Sequence, residues 1–175
     1  QPVFSFKLRG AYQKISQLSA DEIKNGVVTA SAGNHAQGVA YSAKKLGIKA
    51  WIVMPKTTPS IKVSSVKRFG GTPILFGDSY DEAATYAVKL ASEKQLPFIH
   101  AYDDPDVITG QGTIAFEIFN QIQKPLHYIF IPVGGGGLLA GICSYLKFVD
   151  PSVKIIAVES ADSACLAAAL EHGYR

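Results

Sequence analysis

The sequence has little cysteine, with only Cys143 and Cys165 among its 175 residues. Neither residue lies in a CxxC motif or beside a histidine at ligand spacing, which argues against a disulfide framework and against a zinc site. We therefore expect no structural metal. Sparse, unpatterned cysteine is typical of a reducing compartment, and we expect a cytoplasmic protein.

Long apolar runs and clustered charge are also missing. No segment approaches the roughly 20 apolar residues that cross a bilayer, and the first residues lack the basic and then apolar pattern of a signal peptide. The 17 basic and 14 acidic residues are spread along the chain and give a formal net charge of +3. Without a dense basic patch, we expect neither nucleic acid nor a membrane as a partner.

What the sequence does have is a core-forming composition, since 47% of its residues are hydrophobic. Short apolar runs alternate with amphipathic stretches, a pattern typical of a parallel sheet covered by helices on both faces. The pattern predicts an α/β fold with helices at 8–18 and 36–46. It predicts strands at 27–30, 50–53, 73–76, 98–100, 128–132 and 154–158.

The ends of the sequence suggest an internal segment of a longer enzyme. The chain opens at Gln1 and not at Met, only six residues before a candidate catalytic lysine. It stops at Arg175, directly after a predicted helix.

Lys7 is the first candidate for chemistry. It lies in the run SFKLRGA, residues 5–11, between the apolar residues Phe6 and Leu8. Most lysines are solvated surface charges, but these neighbours favour a partly desolvated amine. Desolvation lowers the pKa of a lysine and frees its lone pair to attack a carbonyl, so Lys7 could hold an electrophilic cofactor as a Schiff base.

A four-glycine turn supplies a candidate phosphate site. The apolar strand YIFIPV leads into Gly134, Gly135, Gly136 and Gly137, and an apparent helix, LLAGICSYLK, follows. Backbone N–H groups at a helix N-terminus bind phosphate, and glycines let the anion approach closely. A flexible turn is the alternative, but four glycines cost much chain entropy. We therefore favour phosphate binding.

The same glycines also satisfy a dinucleotide pattern. Gly135, Gly137 and Ala140 fit GxGxxA, and Glu159 ends the next apolar strand, about where a ribose-binding acid would lie. A nicotinamide-binding domain is therefore a second hypothesis. It gives no role to the Lys7 segment, and it would normally place the glycines near the first strand of its domain.

A third motif follows the predicted strand VVTA. In the loop SAGNHAQG, the residues Ser31, Gly33, Asn34 and His35 come at the carboxyl end of a parallel strand, where open α/β sheets bind ligands. The Asn34 amide can donate to a phenolic oxygen, and the loop hydroxyl and N–H groups can hold a carboxylate. Helix capping by Ser31 or Asn34 is the simpler alternative.

Five segments in this order, SFKLRGAY, ASAGNHAQGVA, VMPKTTPSIKV, DDPDVITGQGT and FIPVGGGGLLAG, closely resemble the threonine dehydratases. These are pyridoxal-phosphate enzymes of the tryptophan-synthase-β fold, also called fold type II. The resemblance covers essentially all of the chain. The stretch IIAVESADSACLAAAL is more similar to the biosynthetic type than to the catabolic type.

The resemblance implies roles for matched residues around pyridoxal 5'-phosphate. Lys7 would bind the cofactor and act as the catalytic base, Phe6 would border its ring, and Asn34 would bond its phenolic oxygen. The cofactor phosphate would be cradled by Gly134, Gly135, Gly136, Gly137 and Leu138. The substrate carboxylate would be received by Ser31, Gly33, Asn34 and His35.

The resemblance also implies open, mostly parallel sheets in two domains. Residues 26–103 would form a small domain that closes over the substrate, and residues 1–25 and 104–175 would belong to the large cofactor-binding domain, with the site in the cleft between them. The activity implied is conversion of L-threonine to 2-oxobutanoate and ammonia, with serine as a slower substrate, in isoleucine biosynthesis by a homotetramer.

Serine racemases and serine dehydratases of the same fold are the alternative. In the racemases, a serine in the Asn loop is the second base, and Ala32 holds that position here. A methyl group cannot transfer a proton, so elimination is favoured. Those relatives also bind a divalent cation through a glutamate that matches Glu159 and an aspartate where this chain has Cys165, so we expect no such metal site.

Overall fold

The computed structural model describes residues 1–173, in which helices and strands alternate along the chain. The strands are β1 (Val27–Ala30), β2 (Ala50–Met54), β3 (Thr72–Leu75), β4 (Tyr128–Pro132) and β5 (Lys154–Val158). The helices are α1 (Lys7–Gln17), α2 (Ala20–Ile23), α3 (Asn34–Lys45), α4 (Ser60–Arg68), α5 (Tyr80–Lys94), α6 (Pro105–Gln121), α7 (Gly137–Val149) and α8 (Cys165–His172). The predicted α/β fold class is confirmed.

The chain divides into two compact units, Gln1–Ala101 and a second that begins at Tyr102. The first contains a parallel sheet with the strand order β1-β2-β3, and the second contains the parallel pair β4-β5. Parallel neighbours need a crossover connection, and α3, α4 and α7 supply one for each pair. The predicted parallel pairing is therefore confirmed.

Strands β1 and β2 of the first unit are covered on both faces of the sheet. Val27 and Ile52 pack into a cluster with α1, α3 and α4 on one face. Val28 and Val53 pack with α5 on the other. All four residues of β1 are buried, as expected for a strand at which two apolar layers meet. This burial fixes the carboxyl end of β1, from which the SAGNH loop departs.

The strand predicted at 98–100 is reduced to a single bridge between Val28 and Phe98. Val28 N–H donates to Pro97 O (3.0 Å), and Ile99 N–H donates to Val28 O (2.8 Å). Pro97 has no N–H to extend the ladder. Beyond the bridge, the carbonyls of Ile99 and Ala101 accept from side chains.

The second unit is organised by a close crossing of α6 and α7. A Cβ on Gly112 would lie 2.9 Å from Gly141 O, and one on Gly141 would lie 2.6 Å from Gly112 N, so neither helix has room for a side chain here. The core of this unit then forms from Ala115, Ile131, Ile142, Leu146 and Val153. The glycine turn lies between β4 and the start of α7.

Within residues 1–173, no helix has the length and apolar character needed to cross a bilayer.

Candidate active site

Lys7 is the first residue of α1 and is half-buried. Its Nζ donates to Ala101 O (2.7 Å) and lies 5.3 Å from the centroid of the Phe6 ring. Burial lowers the pKa of the amine below its usual value. The ring of Phe6 is thus an apolar neighbour of the amine.

The backbone of Lys7 is held close to α3. Gly38 of α3 faces the first turn of α1, and a Cβ on Gly38 would lie 3.2 Å from both Lys7 C and Leu8 N. A larger residue at position 38 would push the two helices apart. The glycine therefore sets how near Lys7 lies to the helix that follows the SAGNH loop.

That loop ends in the open N-terminus of α3. Gly33 N–H donates to Ser31 Oγ (3.2 Å), and the first helical bond runs from Gln37 N–H to Gly33 O (3.4 Å). The N–H groups of Asn34, His35 and Ala36 precede this bond, and Asn34 is exposed. Such N–H groups bind carboxylates and other anions.

The side chain of His35 points away from such a ligand. It is only 3% exposed, and its Nε2 lies 2.9 Å from Ile99 O. Burial, reinforced by the charges of Lys7 and His100, lowers its pKa to about 4, although the bond to Ile99 acts in the opposite direction. If His35 contacts a substrate carboxylate, its backbone N–H is the group that does so.

The glycine turn enters α7 through Gly136, whose φ of +84° lies in the left-handed region. The first helical bond runs from Ala140 N–H to Gly136 O (2.9 Å), so the N–H groups of Gly137, Leu138 and Leu139 precede it. Leu138 itself packs against the core of the second unit. Its contribution to an anion site would therefore come from its backbone.

The glycine turn lines a cavity of about 540 Å³ within the second unit. A Cβ on Gly134 or on Gly136 would meet nothing within 4 Å, whereas one on Gly135 would overlap the Tyr102 ring. A Cβ on Gly137 would lie 2.7 Å from Tyr102 O. Two glycines thus leave open space in which an anion could approach the backbone, and the other two accommodate Tyr102.

Glu159, the candidate ribose-binding acid, is engaged elsewhere. Its Oε1 accepts from Leu166 N–H (2.9 Å) and its Oε2 from Ala167 N–H (3.0 Å), so it caps α8. A carboxylate held in this way is not directed at a ribose. The nicotinamide hypothesis therefore loses the residue that had supported it.

No cluster of three or more His, Cys, Asp or Glu side chains suited to a metal ion is found in the part of the chain that the structure describes. Cys143 and Cys165 are free. Burial raises the pKa of the Cys143 thiol.

Sequence reasoning missed the carbonyls of Ile99 and Ala101 and the ring of Tyr102. Backbone carbonyls leave no mark in a sequence, because any residue supplies one. Tyr102 had one indirect signal, its place directly before the DDPDVITGQGT segment.

Comparison with known proteins supports one family. A model described as "Pyridoxal-phosphate dependent enzyme" matches residues 1–175. A biosynthetic, chloroplastic threonine dehydratase of Arabidopsis thaliana is 59% identical over 175 residues, which cover 100% of this chain and 30% of the relative. The chain thus spans about a third of the length of the curated relatives it matches.

Solved structures with the same fold include a threonine deaminase and a serine racemase. The processed form of threonine deaminase isoform 2 from Solanum lycopersicum superposes with a TM-score of 0.97 at 51% identity, covering 100% of this chain and 48% of that one. Maize serine racemase gives a TM-score of 0.93 at 35% identity, covering 98% of this chain and 52% of that one. Both the expected type of enzyme and its alternative are therefore among the structural relatives.

Proposed function

Because the chain belongs to the family of pyridoxal-phosphate dependent enzymes, we propose that it is the part of a threonine dehydratase that converts L-threonine to 2-oxobutanoate and ammonia. The observation that carries the proposal is the half-buried Lys7 amine, whose pKa is lowered by burial. A lowered pKa increases the unprotonated fraction of the amine, and the unprotonated amine can both bond to a carbonyl and accept a proton.

The residues present fit pyridoxal phosphate. The open space over Gly134 and Gly136, beside the N-terminus of α7, suits a phosphate. Leu138 would add a backbone N–H, while Gly135 and Gly137 would keep the turn packed on Tyr102. When bound, the cofactor supplies an electron sink that stabilises negative charge on the substrate Cα.

In this proposal, residues of the first unit do the chemistry on the amino acid. Lys7 Nζ would hold the cofactor and, as a free amine beside the bound amino acid, would accept the proton from Cα. The α3 N-terminus, with Ser31, Gly33 and the N–H groups of Asn34 and His35, orients the substrate carboxylate. Asn34 would also donate a hydrogen bond from its side-chain N–H group to the phenolic oxygen of the cofactor.

Lys7 would take the proton from Cα, and the β-hydroxyl would gain one proton and leave as water. The proton removed from Cα is thereby balanced, and an enamine of 2-oxobutanoate remains. Its tautomer, an imine, takes up water and releases ammonia. The net change is one L-threonine to one 2-oxobutanoate and one ammonia. Serine follows the same path to pyruvate, more slowly.

Racemisation is the second candidate, because a serine racemase is among the structural relatives. Ala32 is half-buried and packs against the core of the first unit. Its methyl group has no proton to give to the opposite face of Cα. The side chain at this position therefore supports elimination over racemisation.

The wider setting is part of the same proposal. The names of the relatives support a biosynthetic enzyme, which we place in isoleucine biosynthesis. We further propose closure of residues 26–103 over the substrate against residues 1–25 and 104–175, assembly as a homotetramer, and a cytoplasmic location.

The test is a visible absorption spectrum of the protein with added pyridoxal phosphate, compared between the parent and Lys7→Arg. Arginine keeps the charge and much of the length but cannot form the covalent link, because its pKa stays far above neutral. We expect a Lys7-dependent band that changes when L-threonine is added, with release of 2-oxobutanoate. A parent with no Lys7-dependent band would overturn the proposal, and exchange of the Cα hydrogen without elimination would favour the racemase.

A further inference from the structure

Three side chains of the first unit converge on the short segment Ile99–Ala101. Thr29 Oγ1 donates to Ile99 O (2.8 Å), and His35 Nε2 lies 2.9 Å from the same oxygen. Lys7 Nζ donates to Ala101 O (2.7 Å). Strand β1, helix α3 and helix α1 are thus all tied to one segment, which directly follows the bridge between Val28 and Phe98.

The protonation state of His35 follows from these contacts. The carbonyl of Ile99 can only accept, so Nε2 must carry the hydrogen, and Nδ1 keeps its lone pair. Nδ1 is buried and has no hydrogen-bond partner among residues 1–173. Lys7 and His100 are the charged or titratable groups that act on the ring, and both disfavour a second proton. His35 is therefore a neutral donor that points at Ile99.

We propose that His35 is a positioning residue, whose Nε2–H bond to Ile99 O fixes the Ile99–Ala101 segment and so holds the Ala101 carbonyl against the Lys7 amine. Its importance for catalysis rests on the proposed function, in which Lys7 is the cofactor-binding amine. The same bond joins the N-terminus of α3, where the substrate carboxylate would bind, to the segment on which the amine rests. Thr29 shares the acceptor but lies within β1, so it cannot make that link.

The consequence for Lys7 has a definite sign. Burial alone lowers the pKa of Lys7. If Ile99–Ala101 moves away, water reaches the amine and replaces Ala101 O as its acceptor, so the burial that lowered the pKa is lost and the pKa rises toward the usual lysine value. Losing the His35 bond should therefore make Lys7 more protonated at neutral pH and slower to react with a carbonyl.

The experiment measures the Lys7 pKa by NMR on protein with ¹³C-labelled lysine, without cofactor, in the full chain. Lys7→Arg assigns the signal. His35→Asn places its amide near the position of Nδ1 and cannot reach Ile99 O, whereas His35→Gln places its amide near Nε2. We expect His35→Asn to raise the Lys7 pKa by about one unit and His35→Gln to return it most of the way to the parent value.

Val39→Ala is the matched control for general loosening of α3. Val39 is fully buried in the same helix and belongs to the same core cluster as Ile99, so its truncation weakens packing there but leaves the His35 Nε2–H bond in place. We expect it to lower stability and leave the Lys7 pKa unchanged. An equal shift in Val39→Ala and His35→Asn, or a failure of His35→Gln to restore the parent value, would overturn the proposal.

If His35→Asn does not fold, ¹⁵N NMR of the His35 imidazole in the parent shows which ring nitrogen carries the proton and so tests the proposed hydrogen bond. A proton on Nε2 and a bare Nδ1 are expected, and a proton on Nδ1 would sink the idea. Neither NMR measurement uses the cofactor, so failure of the proposed function appears separately, as the absence of a Lys7-dependent band. Where that band forms, His35→Asn should slow its appearance at neutral pH by about tenfold, in line with a one-unit shift.

Discussion

Four glycines in a row differ in what a methyl group would meet at each position. At Gly134 it would enter open space beside the cavity, whereas at Gly135 it would overlap the ring of Tyr102. We expect Gly135→Ala to lower the free energy of unfolding by about 1–3 kcal/mol through overpacking. Gly134→Ala should change it by no more than about 0.5 kcal/mol. Urea unfolding of the two variants measures both values.

Gly134→Ala also tests the phosphate site, because its methyl group would occupy the space proposed for the anion. Its affinity for pyridoxal phosphate should fall by about tenfold, or about 1.4 kcal/mol, while its stability is unchanged. Unchanged affinity in Gly134→Ala would show that the phosphate does not bind there.

At the residue scale, the sequence predicted Lys7 through its apolar neighbours Phe6 and Leu8, and the structure gives that lysine a partly desolvated amine. The sequence could not predict that the side chain of His35 points into the protein interior. A histidine in a loop before a helix has no pattern that separates a ligand contact from a bond to a distant carbonyl. Ile99 lies 64 residues away along the chain.

At the scale of single elements, α8 depends on a carboxylate from outside the helix. Both oxygens of Glu159 accept from N–H groups in its first turn. We expect Glu159→Ala to destabilise α8 by about 1 kcal/mol, since a lost cap leaves these donors without their acceptor. Hydrogen exchange of the α8 amides should speed up by about fivefold.

Asp162→Ala is the control for this change, because Asp162 is also acidic and lies in the short 3₁₀ turn (Ala161–Ser163) just before α8. It should leave exchange in α8 unchanged. If Asp162→Ala and Glu159→Ala have equal effects, the negative charge near the helix matters and the two hydrogen bonds do not.

Elements with strong periodicity were predicted to within one or two residues. β1 and β5 match their predicted bounds, and α1 begins one residue early. The segment at 98–100 was predicted wrongly as a strand, because an apolar run does not reveal that its carbonyls bond side chains such as Thr29. Burial of such a segment depends on tertiary partners that short-range patterns do not contain.

At the scale of the whole molecule, a buried neutral histidine makes stability depend on pH. The pKa of His35 is about 4 in the folded protein and about 6.5 when exposed. The unfolded chain therefore binds the proton more readily. The stability that His35 contributes is complete above about pH 6.5 and is lost as pH falls toward about 4, at up to about 1.4 kcal/mol per pH unit.

Urea unfolding between about pH 4 and about pH 7 measures this slope, with the fluorescence of Trp51, the single tryptophan, as the signal. Trp51 lies in β2 of the same unit as His35. We expect the slope to be smaller in His35→Gln and to persist in His127→Gln, whose histidine is exposed in the second unit. Equal slopes in the parent and His35→Gln would contradict the assigned protonation of His35.

The class and parallel character of the fold followed from alternating apolar runs and helical stretches. The division of the chain between Ala101 and Tyr102 could not be predicted from these patterns, because the segment HAYDDP has none of the Gly- or Ser-rich composition of a linker. Closure of residues 26–103 stays a prediction, since it concerns a motion.

The parallel register also bears on how fast the chain can fold. Val27 pairs with Ala50, and Trp51 pairs with Thr72. The two strands of each pair can therefore meet only after the helical connection between them has brought their ends together. No two-residue hairpin can start the sheet, so the chain loses the entropy of loop closure before the strands gain any hydrogen bonds or packing. Folding should therefore be slower than for a helical bundle of equal length, and unpaired strand edges stay open to neighbouring chains until the last crossover closes.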